Sequence, residues 1–319
     1  MTAGHRALAA ALAALLALGA AGRLAAQERF SFALTGDAPY FDLEVPAVAA
    51  MLAEIDAAPV AFVVHLGDLK RASAPCTDEL FEARRALLDR SAHPLVFVPG
   101  DNEWTDCHRT ASDPLERLAA LRRIFHAGDE SLGRRRIALE RQSVDPRFAG
   151  FREHVRWIRG GVVFVALNVP GSNNDLGRSP VAGAEHRQRM AAVFDWLDEA
   201  VRLAEARRLA GVAIMLHGDP RFDRDGNHRA RRPDGYLALR NVLRAHAGWF
   251  KRPMLIAHGD SHAFVLDRPL VDPQRGVRFD NVTRVQVPGS PIVEWVRVDV
   301  DPADPALFRV QPPAAPGRP

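Results

Sequence analysis

The chain has 319 residues, of which 47% are hydrophobic and 25% are charged, and these values are ordinary for a globular protein. Its formal net charge of +3 falls to +1 when segment 1–26, which carries two arginines and no acid, is left out, so net charge indicates no particular partner. Short arginine clusters at 134–136 and 229–232 lack the interleaved aromatic residues of a nucleic-acid-binding surface. We therefore expect no nucleic-acid partner.

Residues 1–26 have the pattern of a secretory signal peptide. A basic start at Arg6 precedes an Ala/Leu run over 7–21, and small residues follow it. The alternative is an uncleaved anchor, because Leu24 is a poor residue three places before a cut after Ala26. No other apolar run approaches the roughly 20 residues of a membrane-spanning helix. We expect a bacterial protein that is periplasmic or secreted and has no membrane contact once this segment is removed.

From residue 29 onward, apolar strand-like runs alternate with helical periods, which predicts an α/β fold with layered sheets. "RFSFALTGD", "VAFVVHLGD" and "PLVFVPGDN" each read as a strand that runs into a Gly-Asp turn, and each is followed by a helical pattern. Asp37, Asp68 and Asp101 are 31 and 33 residues apart, which is the size of one β-α-β unit. We expect three consecutive parallel strands.

The second half of the chain continues this alternation. We predict a hairpin around 160–161, a long helix over 184–209, a helix near 234–247 and two strands within 276–299. "GVAIMLHGD" and "RPMLIAHGD" read as two further buried strands. Residues 301–319 are rich in proline and predict a disordered tail. No linker divides 27–300, so we expect one domain there.

Five predicted strands end in a turn that carries a metal-capable side chain. In α/β sheets ligands bind beyond the carboxyl ends of the strands, so these turns should converge. One Gly-Asp pair is common turn chemistry, but five such strand ends are not explained by it. Clustered carboxylates repel one another without a cation, which predicts one or two divalent metals. The side chains concerned are Asp37, Asp68, Asp101, His217, Asp260 and His262.

The turns "GDAP", "GDLK", "GDNE", "LHGD" and "GDSH" follow, in order, the motifs of the calcineurin-like metallophosphoesterases, which the chain resembles as a divergent member over 35–262. The resemblance implies a layered metallophosphoesterase-type β-sandwich flanked by helices, with two divalent metal ions. Manganese, iron or zinc are expected from the mixed oxygen and imidazole ligands. It implies that Asp68 bridges the metals, that Asp37 and His262 complete the first site, and that Asp101, His217 and Asp260 complete the second.

Three positions depart from the motifs. Pro39 stands where the first motif has a histidine ligand; the neighbouring Tyr40 either supplies a phenolate or packs as an aromatic turn residue. Asp260 replaces a histidine of the last motif. Asn102 replaces the histidine that protonates the leaving group, although its amide can still hydrogen-bond a phosphoryl oxygen. The candidates for a substitute acid are the loop residues Glu103, His108 and His228.

The resemblance implies an exported metal-dependent phosphoesterase that hydrolyses phosphate mono- or diesters of a phosphorylated small molecule through a metal-activated water. One alternative is a hydrolase with the same metal core that acts on another bond. A second is a degenerate relative that binds metal or a phosphorylated ligand without turnover. Cys76 and Cys107 each lie just past a Gly-Asp turn, and we expect them to pair in an oxidising compartment; two free thiols are the alternative.

Overall fold

The structure is a computed structural model that describes residues 28–224 and 233–313. The strands are β1 Phe30–Thr35, β2 Val63–His65, β3 Leu95–Phe97, β4 Glu140–Arg141, β5 Val155–Arg159, β6 Val162–Ala166, β7 Gly211–Met215, β8 Met254–His258, β9 Val265–Asp267, β10 Val282–Gln286, β11 Val296–Val300 and β12 Phe308–Gln311. The α-helices are α1 Val45–Ala57, α2 Asp78–Leu88, α3 Pro114–Phe125, α4 Pro180–Ala206 and α5 Leu237–Phe250. Short 3₁₀ turns cover Asp42–Glu44, Thr105–Thr110, Gln142–Val144, Pro146–Phe148 and Phe222–Arg224.

The strands form two sheets. The first has the order β12-β11-β1-β2-β3, in which β1, β2 and β3 are parallel, as the sequence predicts. Strand β11 is antiparallel to both of its neighbours, β1 and β12. The second has the order β4-β5-β6-β7-β8-β10-β9, with a parallel centre from β6 to β10. The predicted hairpin is the antiparallel pair β5–β6.

Three buried apolar clusters define four layers. One cluster fills the space between the sheets, where the rings of Phe32, Phe62 and Phe164 meet. A second packs α4 and α5 on the outer face of the larger sheet, and a third packs α1, α2 and α3 on the outer face of the smaller one. The fold is therefore a β-sandwich flanked by helices, which confirms the predicted fold class.

The helices α2, α3 and α4 follow residues whose side chains accept backbone hydrogen bonds. Thr77 accepts the N–H of Leu80 ahead of α2, and Asp113 accepts that of Leu115 ahead of α3. The long helix α4 begins at Pro180, four residues before its predicted start, because Ser179 caps it and proline fits the first helical position.

The predicted carboxyl-terminal tail differs from the structure. Strand β12 pairs with β11, and Phe308 is buried in the core between the sheets. The prolines around this segment dominate its composition, so the sequence does not indicate the four-residue strand that completes the smaller sheet. Residues 314–319 and the predicted signal peptide lie outside the described residues. Within the described ranges, none of the helices has the length and apolar character needed to cross a membrane.

Candidate metal centre

The turns that follow five strands meet at one end of the sandwich, as the sequence predicts. Three of these turns follow β1, β2 and β3 of the smaller sheet, and two follow β7 and β8 of the larger sheet. The side chains that they carry are Asp37, Asp68, Asp101, His217, Asp260 and His262. Because the parallel strands of both sheets deliver their carboxyl ends here, six potential ligands gather from residues far apart in the chain.

A first group of ligand atoms comes from Asp37, Asp68 and His217, which each offer an atom within 4.8 Å of the others. His262 borders this group, with its Nε2 3.7 Å from Asp37 Oδ1. The group holds the pair Asp37 and Asp68 that the sequence analysis assigns to the first site. It also includes His217, which that analysis assigns to the second site alone.

A second group comes from Asp101, His217 and Asp260, again with all ligand atoms within 4.8 Å. The Nε2 atom of His217 lies 3.2 Å from Asp101 Oδ1 and 3.4 Å from Asp68 Oδ1, so this imidazole stands between the two groups. Each group has the donors of a mononuclear metal site, and together they can hold two ions.

Backbone carbonyls orient both imidazoles. The Nδ1 atom of His217 lies 2.6 Å from Leu66 O, and that of His262 lies 2.7 Å from Ser290 O. A carbonyl oxygen only accepts hydrogen bonds, so Nδ1 carries the proton in each ring. This leaves Nε2 of both rings turned toward the carboxylates, the arrangement of a histidine prepared to bind a metal.

The turns adopt a backbone conformation that L-residues rarely use. The φ angles of Asp37, Asp68 and Asp260 are 53°, 60° and 75°, each at a cost of the order of 1–3 kcal/mol. Gly259 makes room for the first of them, because a Cβ atom there would lie 2.2 Å from Asp37 Oδ2. Strain that recurs at the residues of one cluster indicates a functional site.

Burial sets the charge balance of the cluster. It raises the pKa of the Asp37 carboxyl to about 7 and raises the pKa values of Asp68 and Asp260 above their ordinary range. It acts likewise on Asp101, but the hydrogen bond and charge of His217, together with the hydrogen bond of Ser172, lower the pKa of that carboxyl below its ordinary value. Burial opposes protonation of His217, yet the charge of Asp68 and other carboxylates raises its pKa well above the ordinary value. The cluster therefore lacks positive charge, which divalent cations would supply.

The chain matches no protein-family model and no curated protein, whereas solved structures share its architecture. A dimetal phosphatase from Danio rerio aligns at a TM-score of 0.50 and 14% identity, over 88% of this chain and 98% of its own. PhoD aligns at 0.56 and 14% identity, over 86% of this chain and 64% of its own. A purple acid phosphatase from yellow lupin seeds aligns at 0.53 and 11% identity, over 89% and 53%. This chain has the calcineurin-like metallophosphoesterase fold.

Asn102, which is a substituted motif residue, and Tyr40, which follows the substituted Pro39, contact each other beside Asp68. The amide nitrogen of Asn102 lies 2.5 Å from Asp68 Oδ2 and 3.1 Å from Tyr40 Oη. The phenol oxygen of Tyr40 lies 2.6 Å from the same carboxylate oxygen and 2.9 Å from His262 Nε2. Burial, followed by the charge of Asp68, raises the pKa of Tyr40, so in the absence of a cation the phenol donates its proton to that carboxylate.

Glu103, a candidate for the substitute acid, is surrounded by backbone donors. Its side chain is fully buried and accepts the backbone N–H groups of Asp68, Leu69 and Gly100. These bonds fix the turns after β2 and β3 to each other and involve both carboxylate oxygens, so Glu103 holds the ligand-bearing turns in place. The sequence shows a carboxylate near the motif but not the backbone donors that surround it.

Of the two histidine candidates for the acid, the structure describes only His108. The exposed His108 lies in the 3₁₀ turn after the third motif, with its Nδ1 2.7 Å from Thr105 O. That contact is local to the turn and indicates a capping role. His228 lies outside the described residues, so its role stays a prediction.

Cys76 and Cys107 form a disulfide, as predicted. Both cysteines are buried, and each sulfur lies 3.7 Å from the carbonyl oxygen of Asn102. The cross-link thus ties the segment after Asp68 to the segment after Asp101 at the residue that replaces the expected proton donor. It fixes the two ligand-bearing turns relative to each other.

A left-handed turn after β6 forms another wall of the cluster, and the sequence analysis does not assign it to the site. A Cβ atom on Gly171 would lie 2.4 Å from Asp260 Oδ1 and 2.8 Å from Asp101 Oδ2. The next four residues, 172–175, all have φ between 48° and 58°, and Ser172 Oγ donates to Asp106 Oδ1 at 2.8 Å. The run of turn-forming residues "PGSNND" directly after a buried strand is the sequence signal for this wall.

Proposed function

We propose that this chain is an exported, metal-dependent phosphoesterase that hydrolyses mono- or diesters of phosphorylated small molecules. The observation that carries the proposal is the meeting of four aspartates and two imidazoles at the strand ends of a metallophosphoesterase fold. Export to the periplasm or the exterior of a bacterial cell is supported by the disulfide and by the signal-peptide pattern.

The donor set fits two divalent ions, for which manganese, iron and zinc are the candidates. The proposed ligands are Asp37, Asp68, Asp101, His217, Asp260 and His262. Divalent ions in such sites lower the pKa of water and neutralise charge on a phosphoryl group. The chain supplies buried carboxylates to hold them, backbone carbonyls that fix the imidazole Nε2 atoms, and Glu103 to lock the turns.

Asn102 determines which esters suit this site. Its backbone N–H donates to Asp68 Oδ1 at 3.0 Å, and its side-chain amide lies at the cluster and is a neutral donor for a phosphoryl oxygen. An amide has no proton to give to a leaving group, and general acid catalysis is worth about 10²–10⁴ in rate. We therefore expect preference for esters whose leaving group departs without protonation, such as aryl phosphates.

The same residue favours one alternative function. A site that keeps its ligands but has lost the proton donor at position 102 suits a protein that binds metal or a phosphorylated ligand without turnover. The two functions share the metal centre and differ in whether bound ester is hydrolysed. An activity measurement on metal-loaded protein separates them.

The test uses the chain from residue 27 onward, loaded with Mn²⁺ and assayed on aryl phosphate mono- and diesters. Asp68→Asn should lose at least about a hundredfold in kcat/KM, because it removes an anion from the first ligand group, beside the His217 imidazole that both groups share. Asp56→Asn is the matched control, since Asp56 caps the backbone of Ala92 before β3, at the far end of the sheet. Turnover by both variants equal to wild type contradicts the proposal, and bound metal without any turnover favours the binding function.

A further inference from the structure

The first ligand group has a gap that Pro39 leaves. The first motif of the fold family has a histidine where this chain has Pro39, whose side chain offers no donor atom. Asp37, Asp68 and His262 remain on that side of the cluster, and His217 is shared with the second group. A metal on that side therefore has one protein ligand fewer than the motif provides.

The next residue in the chain fills this gap with an oxygen. Tyr40 Oη lies 2.6 Å from Asp68 Oδ2 and 2.9 Å from His262 Nε2, which are two of the atoms that face the first group. Its ring meets that of His262 edge to face at 4.9 Å between centroids. The phenol oxygen thus stands among the ligand atoms of the first group.

Core packing does not explain this position. Tyr40 is only partly buried and belongs to none of the three apolar clusters. The other tyrosine, Tyr236, is an example of a tyrosine packed in the core. It is fully buried in the apolar cluster on the outer face of the larger sheet, and its hydroxyl donates to the carbonyl of Pro170 at 2.8 Å. The two tyrosines therefore differ in environment and in hydrogen-bond partner.

The loop that carries Tyr40 is fastened to the loop that follows His262. The Glu44 carboxylate accepts the backbone N–H of Tyr40 at 2.7 Å and the hydroxyl of Ser290 at 2.6 Å. The carbonyl of Ser290 in turn accepts Nδ1–H of His262. A chain of three hydrogen bonds thus holds the phenol oxygen and the imidazole nitrogen side by side, as two ligands of one ion must be held.

We infer that the phenol oxygen of Tyr40 is a ligand of the first metal, in the place of the histidine that the first motif lacks. This inference rests on the proposed function, because it requires a metal beside Asp37 and Asp68. On coordination the O–H bond is replaced by an oxygen–metal bond, and one proton leaves to solvent. An oxygen anion in place of an imidazole makes the site harder, so it favours Mn²⁺ relative to Zn²⁺ compared with a site that has the histidine.

The chain offers a clean test because it contains only two tyrosines. Metal-free wild type, Tyr40→Phe and Tyr236→Phe are titrated with Mn²⁺ and with Zn²⁺ by calorimetry, while the ultraviolet difference spectrum of tyrosinate is followed. Wild type and Tyr236→Phe should show the tyrosinate signal with one tyrosine per chain. Tyr40→Phe should lose the signal and bind Mn²⁺ at least about tenfold more weakly at one site.

The outcomes separate this inference from the function on which it rests. Wild type that binds neither metal overturns both. Wild type that binds metal while Tyr40→Phe binds it equally tightly, or a tyrosinate signal that survives in Tyr40→Phe, overturns the ligand role of Tyr40 alone. Thermal unfolding of each metal-free variant identifies any loss of fold; if Tyr40→Phe is destabilised, the absence of a tyrosinate signal in Tyr236→Phe, which keeps Tyr40, decides against the inference.

Discussion

Removing the disulfide tests how the two ligand-bearing turns are held. Cys76 and Cys107 close a loop with a sequence separation of 31 residues. In the chain-entropy description, a cross-link over about 31 residues restricts the unfolded chain and stabilises the fold by about 3.7 kcal/mol at 25 °C. Cys76→Ala/Cys107→Ala should therefore lower the free energy of unfolding by this amount, with a fall in Tm of about 6 °C.

The same variant should weaken metal binding, because both sulfurs contact the carbonyl of Asn102, whose N–H donates to Asp68. Urea unfolding gives the stability, and calorimetric titration with Mn²⁺ gives the affinity. A dithiol reductant supplies an internal control, since the described residues contain no free cysteine: it should bring wild type down to the variant and leave the variant unchanged. A loss of less than about 1 kcal/mol would refute the reasoning.

Three further predictions concern single residues. Asn102→His should raise kcat for alkyl phosphates by about a hundredfold and change aryl phosphates less, because it restores a proton donor; an unchanged ratio of the two rates contradicts this. Gly171→Ala should weaken Mn²⁺ binding at least about tenfold in calorimetry, because its Cβ would lie 2.4 Å from a cluster carboxylate oxygen, whereas Gly183→Ala, with no neighbour closer than 3.7 Å, should not. Burial lowers the pKa of His154 to about 4, so the folded state favours the neutral ring. The free energy of unfolding should therefore fall by up to about 3 kcal/mol as pH falls from 6.5 to 4. His154→Gln should flatten this part of the pH profile measured by urea unfolding.

The parts of the fold that the sequence predicts are those with a strong local signal. Alternating apolar runs and capped helical periods identify the parallel strands β1 to β3 and the helices between them. The convergence of the strand-end turns follows from topology alone, since parallel strands deliver their carboxyl ends to the same edge. The sequence does not predict β12, because a strand of four residues among prolines is too short to show a clear alternation of apolar and polar residues.

The parts of the site that the sequence does not predict depend on contacts between distant segments. Glu103 lies beside a motif, but only the structure shows that three backbone N–H groups surround its carboxylate. For Tyr40 the sequence is compatible with packing and with ligation, because an aromatic residue in a turn has no periodic signal for its direction. The position of His217 between both ligand groups depends on two sheets meeting, which no spacing in the chain records.

The central claim is that the cluster holds two divalent ions through Asp68 and its neighbours. The most direct measurement is the metal content of the chain from residue 27 onward, determined by elemental mass spectrometry after saturation with Mn²⁺ and removal of free metal. The account predicts about two ions per chain for wild type and fewer for Asp68→Asn, which removes a carboxylate of the first group beside the shared His217. Wild type without bound metal, or an unchanged content in Asp68→Asn, would contradict it.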